Sequence, residues 1–201
     1  LGEVTVSALT RVVVAGWLLG TAFTVQSAAH QNDAVNQDSR VIEDFSKRVD
    51  DYAALRKRAQ AGLPVPKQGS AAHIKQHQKS LEHKIRAERP QAMQGDVFNP
   101  AISALLKKLM AATFESSRGS EIRASLRHAE PVRGLSLKVN QAYPPALALQ
   151  STPPTLLLDL PRLPPDIEYR IVGRELILLD AAANLIVDLL PDALPASPSE
   201  R

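Results

Sequence analysis

The spacing of apolar residues changes once along this chain, at Pro131, and that change sets the architecture. Before it, apolar side chains recur at steps of three and four. Ile42, Phe45, Val49 and Tyr52 follow that rhythm, with Ala59 in the same phase. After it, Leu135, Leu137 and Val139 alternate with Ser136, Lys138 and Asn140. A 3.6-residue period marks amphipathic helix and a period of two marks strand. The chain is therefore expected to be α+β, with N-terminal helices followed by a small antiparallel C-terminal β-sheet.

The helices are bounded by their own chemistry. The first is expected over 39–61, with Glu43 and Asp44 early and Arg56, Lys57 and Arg58 late, as the helix dipole favours. Gly62, Pro64 and Pro66 stop it. A polar lead over 30–38 precedes it. A second helix is expected over 70–89, with Ile74, Leu81 and Ile85 as a thin apolar stripe. So polar a helix lies across the surface or packs along the first as a hairpin. Asn99 before Pro100 reads as a cap and a first helical position. It opens a third helix over 99–115 with the broadest apolar face, from Ile102 through Leu105, Leu106, Leu109 and Met110 to Phe114. A short fourth is expected over 120–128, capped by Ser120.

Strands are expected near 135–140, 167–172, 175–179 and 185–190, the middle pair joined by Gly173–Arg174 as a hairpin. The last run reads as helix or strand, and its Ile-Val pair and short length favour strand. Seven prolines between Tyr143 and Pro165 make a stiff connector, within which Thr152 and Pro153 can open a short helix over Leu156–Leu160. The organisation expected is a signal peptide at 1–29, a helical region at 30–130, and the connector and sheet at 131–190. Helices and sheet form one domain, and 191–201 is a flexible tail.

The signal reading rests on Arg11, the apolar run over 12–25, and Ser27 and Ala29 at the −3 and −1 positions of a cut before His30. About 14 apolar residues fall short of the ~20 that span a bilayer. Retention as an N-terminal membrane anchor and a buried core helix are the rival readings. Composition narrows the chemistry. The chain has no cysteine, which excludes disulfides, thiolate metal sites and Cys-linked lipid. Aromatics are 4% of residues, so the core is built from aliphatic side chains and lacks the flat faces that stack sugars or bases. Charge is uneven: residues 38–89 hold 12 Lys or Arg against 7 acids, and residues 150–201 hold 4 against 8. That polarity fits an acidic partner at the N-terminal half, or simply a solvated helical face.

The candidate metal ligands are His73 and His77, spaced i, i+4 so that both imidazoles leave one side of the second helix. His83, six residues on, points about 240° away. Two ligands from one helix do not close a structural zinc site, and no H-E-x-x-H pattern, phosphate loop or nucleophile elbow is present. The adjacent acids Glu43/Asp44 and Asp50/Asp51 diverge around their helix and form no catalytic pair. No cofactor, no nucleic acid and no catalysis are expected.

The run LPRLPPDIEYRIVGRELILLDAAANLIVDLLP (Leu160–Pro191) resembles a segment that ends many uncharacterised exported bacterial proteins. It is also similar to the C-terminal hairpin of the periplasmic nickel/cobalt-homeostasis family, where a Leu-Pro lead, a strand, a Gly turn, an L-I-L-x-D strand and an I-V-D run follow in that order. The resemblance implies the hairpin. Its matched residues are of structural types and name no metal ligand. The expectation is a non-catalytic, periplasmic or secreted protein that binds or scaffolds an envelope protein or surface, touching membrane only if the anchor is kept. The alternative is a periplasmic metal-handling protein using His73 and His77.

Overall fold

The computed structural model describes residues 24–64, 70–127, 136–144, 147 and 153–195, with side chains from residue 35 onward and none at 126–127 or 154–155. Contacts divide the chain at Asn36/Gln37, and from Gln37 on the helices and the sheet make one compact unit. Most of the expected signal segment, like the expected strand start at Leu135 and the end of the tail, lies outside the described residues.

The fold is α+β. Helices α1 (Thr24–Gln60), α2 (Ala71–Glu88), α3 (Pro100–Glu115) and α4 (Gly119–Arg127) precede a single turn, α5 (Pro154–Leu157). Strands β1 (Ile167–Val172), β2 (Glu175–Asp180) and β3 (Leu185–Leu190) then form an antiparallel sheet in the order β1-β2-β3.

The lead expected over 30–38 is helix, because α1 begins at Thr24 and runs through it. No Gly or Pro occurs between Thr24 and Gln60, so nothing interrupts a segment rich in Ala and Gln even where apolar residues are sparse. Asn99 caps α3 as expected, its side chain accepting from the N–H groups of Ala101 and Ile102. Helix α4 starts one residue ahead of the expected Ser120.

Helix α2 runs back along the end of α1 but is slid far past it. Gly62 lies beside Lys84, Arg58 beside Glu88, and the Arg89 guanidinium sits 5.2 Å over the Tyr52 ring. Packing of α2 begins at His77, and residues 71–76 are all exposed. Leu81 and Ile85 are fully buried, whereas Ile74, on the same stripe, is 53% exposed.

The strand expected over 135–140 does not form in its described part. Asn140 adopts a left-handed φ of 63°, which turns the chain out of extended geometry. The segment instead meets the edge of β3 through isolated contacts: Asn140 N–H to Ile186 O, Ile186 N–H to Gln141 O and Tyr143 N–H to Asn184 O. Its alternating Leu137 and Val139 are half-buried in a strap that packs on the outer face of the sheet.

That outer face consists of Val172, Ile177, Leu179, Ile186 and Leu189, covered by Tyr143 and Leu147. The inner face carries Tyr169, Ile171, Leu176, Leu178, Leu185, Val187 and Leu190 against the helices. The β1–β2 turn has Gly173 at φ 59°, the positive first position that a tight two-residue hairpin requires. In β3 the register shifts: Leu178 pairs with Asp188 and Leu179 with Ile186, leaving Val187 as an extra residue. This bulge inverts the alternation, so Val187 and Asp188 both face the helices.

Gly119 matters for a different reason, the close approach of its neighbours. A Cβ there would lie 1.8 Å from the Phe114 carbonyl oxygen, which also accepts from Arg123 Nη1 at 2.9 Å. Gly119→Ala is therefore expected to cost roughly 1–3 kcal/mol through a forced shift of the α3–α4 turn. Leu178→Ala, which empties a fully buried site, is expected to cost roughly 2–5 kcal/mol. Urea unfolding of both variants checks this, and parent-like stability of Gly119→Ala contradicts the close approach.

Candidate functional site

Two carboxylates are wholly buried among the described residues, and both stand on the sheet. Asp188 reaches the helix side because of the β3 bulge. Its Oδ1 accepts from Gly95 N–H (3.0 Å) and from its neighbour Leu189 N–H (2.8 Å). Its Oδ2 accepts from Val97 and Phe98 N–H, each at 2.8 Å. The loop that precedes α3 is thus wrapped around one carboxylate. Arg89 stands nearby, donating to Val187 O and lying 3.9 Å from Asp96. Burial lowers the pKa of Arg89, against the pull of Tyr52, Asp96 and Asp188.

Asp180 stands at the end of β2, two residues from Leu178, the partner of Asp188. Tyr52 O–H donates to its Oδ2 at 2.8 Å, Ala183 N–H donates to its Oδ1 at 3.0 Å, and Arg56 Nη1 lies 3.7 Å away. Arg56 also reaches Asp166 at 3.1 Å and Pro165 O at 3.2 Å. Burial raises the Asp180 pKa despite these donors and the Arg56 charge, all of which favour the ionised form. The Tyr52 hydroxyl is pushed up by burial and by facing Asp180. Helix α1 is tied to β2 through this pair.

Chemically, both carboxylates are occupied by the chain's own donors and closed to solvent. They hold the helix layer to the sheet; they do not present an oxygen to a substrate. In the sequence they stand only as members of strand motifs. The missed signal was the isolation of each acid in an apolar run, L-I-L-L-D and I-V-D-L-L, where burial demands a set of partners.

His73 is exposed and His77 is half-buried, one turn apart on one side of α2. His83 is exposed and further along the helix. Among the described residues no group of three His, Asp or Glu side chains gathers where it could hold a metal ion. An open cleft of about 570 Å³ lies at the end of α3, between Leu109, Thr113, Ser116, Arg118, Leu158 and Asp159. Thr113 Oγ1 donates across its floor to Asp159 at 3.0 Å. No described helix is long and apolar enough to cross a membrane. No protein-family model, curated protein or solved structure matches the chain.

The titration of Asp180 tests this geometry. A folded pKa above the unfolded one means that the protonated form is favoured by folding, so the stability from this group is present at low pH and is lost as pH rises through the folded pKa. NMR titration of the side-chain carboxyl carbons is expected to place Asp180 above ordinary aspartates. Exposed Asp44, lowered by its hydrogen bond from Arg48, is expected below them. Asp180 titrating at or below Asp44 contradicts the burial described.

Proposed function

We propose that this protein is a non-catalytic exported component of the bacterial cell envelope, periplasmic or secreted, that binds or scaffolds another envelope component. The observation that carries the reading is the engagement of both buried carboxylates by the chain's own N–H and O–H groups. The interior chemistry is structural, which leaves the exposed helical surface as the part that meets a partner. Export is supported by Arg11, the apolar run and the Ser27-x-Ala29 pattern, and by the likeness of Leu160–Pro191 to periplasmic hairpins. In the uncut chain Ala29 and His30 lie within α1, so cleavage leaves a helix that starts at the new terminus.

The test is the mature N-terminus. Protein recovered from the envelope fraction of its natural host is expected to begin near His30 by mass spectrometry. A chain that keeps residues 11–29 and stays with the cytosolic fraction overturns the reading; one that keeps them and stays with the membrane fraction supports the anchor instead.

The second reading is a periplasmic metal-handling protein, favoured by the accessibility of His73 and His77 on one side of α2. Two imidazoles at i, i+4 suit a divalent transition metal such as nickel or zinc. Under this reading, isothermal titration with nickel gives saturable binding and a raised melting temperature, both lost in His73→Ala. An unchanged titration of His73→Ala removes the histidine site. In metal-free buffer His73→Ala is expected to change stability by less than about 0.5 kcal/mol.

A further inference from the structure

Residues 52–81 contain six Lys or Arg, two His and no Asp or Glu. Arg56 turns inward to Asp166 and Asp180, and Arg58 lies 3.9 Å from Glu88. Lys57, Lys75 and Lys79 are exposed and in no ion pair among the described residues. Lys57, Lys75 and Lys79 thus display positive charge to solvent.

The slide of α2 past α1 decides how it is displayed. Every residue from 70 to 76 is exposed, so the start of α2 stands clear of the body. Contact begins at half-buried His77 and Gln78, where Gln78 Nε2 donates to Ala181 O at 3.2 Å. Ile74 continues the stripe that Leu81 and Ile85 bury, but here it faces solvent at 53%. Around the helix axis, Lys75 and Lys79 fall on one flank of Ile74 and His73 and His77 on the other. The first turn of α2 carries no acid to offset the positive end of the helix dipole. An apolar side chain flanked by long cations that can reach upward is the arrangement of a helix lying at a lipid–water boundary. Residues 53–81 contain no aromatic side chain on which bases could stack, which disfavours a single-stranded nucleic acid.

We propose that the overhanging start of α2 docks the protein on an anionic phospholipid surface, Ile74 entering the headgroup boundary while Lys75 and the exposed Lys79 contact the phosphates. The choice of a bilayer rests on the envelope reading above. Vesicle binding is measured on purified protein and export from the N-terminus made in the cell, so either can fail alone.

The test sediments the full chain with vesicles of mixed phosphatidylglycerol and phosphatidylcholine, and with vesicles of phosphatidylcholine alone. The apolar run at 12–25 holds no charged residue and is present with both vesicles, so the ratio of the two affinities is the readout. That ratio is expected to exceed one and to fall steeply between about 50 and 500 mM salt. In Lys75→Gln/Lys79→Gln it is expected to drop roughly thirtyfold, as loss of two surface-bound cations implies. Both lysines are exposed, so circular dichroism and melting are expected to stay as in the parent. Equal affinity for both vesicles, or an unchanged ratio in the double variant, overturns the proposal. If the double variant melts early, the salt series on the parent chain decides, and a ratio insensitive to salt overturns it.

Discussion

A single carboxylate, Asp188, organises the join between the two halves of this protein. An ionised side chain in an apolar strand is unfavourable unless its oxygens are met, and charge-assisted hydrogen bonds from backbone N–H groups meet them here. Gly95, Val97 and Phe98 supply three of those donors from a loop 90 to 93 residues earlier in the chain, and Leu189 supplies the fourth. The loop so fixed leads directly to Asn99, whose side chain caps α3. The start of the most apolar helix is therefore set by an acid in the last strand. Phe98 stacks on Phe45 of α1 at 6.0 Å, which carries the same constraint into the first helix.

The bulge at Val187 makes this possible. With strict alternation Asp188 would face the strap, where Tyr143, Leu147 and the outer-face aliphatics offer an acid no matching set of donors. The extra residue turns it inward while keeping Ile186 and Leu189 on the outer face. Asp180 plays the corresponding part on β2, where Tyr52 and Arg56 reach it from α1. Two acids on adjacent strands thus receive the helix layer at two points. The polar interior fixes how the layers meet, while the aliphatic core supplies the bulk of the burial.

Much of this was legible in the residues themselves. Asn99-Pro100 and the Gly173 turn are local signals, and the helix and the hairpin they mark are present. The change from helices to strands is present too, although the sheet begins only at Ile167. What the sequence hid depends on distant partners. The polar start of α1 shows no apolar stripe, yet it is helical because nothing breaks it. Leu137 and Val139 alternate like a strand, but the left-handed turn at Asn140 leaves them in a strap. Ile74 keeps the phase of its stripe but not its burial, because where α2 ends its contact with α1 is a tertiary fact. His73 and His77 were placed correctly on one side of a helix, and no third ligand joins them among the described residues. The paired roles of Asp180 and Asp188 could be suspected only from their loneliness among aliphatics.

Replacing Asp188 by Asn tests the central claim most directly, since it keeps shape while changing one oxygen from acceptor to donor. An amide nitrogen facing the Val97 and Phe98 N–H groups leaves buried donors unpaired, at a cost of about 1–3 kcal/mol for each. Asp188→Asn is expected to lower unfolding stability by at least about 2 kcal/mol. Amide hydrogen exchange at Val97 and Phe98, slow in the parent, becomes fast ahead of exchange in β2. Parent-like stability together with undiminished protection of those two amides would contradict it.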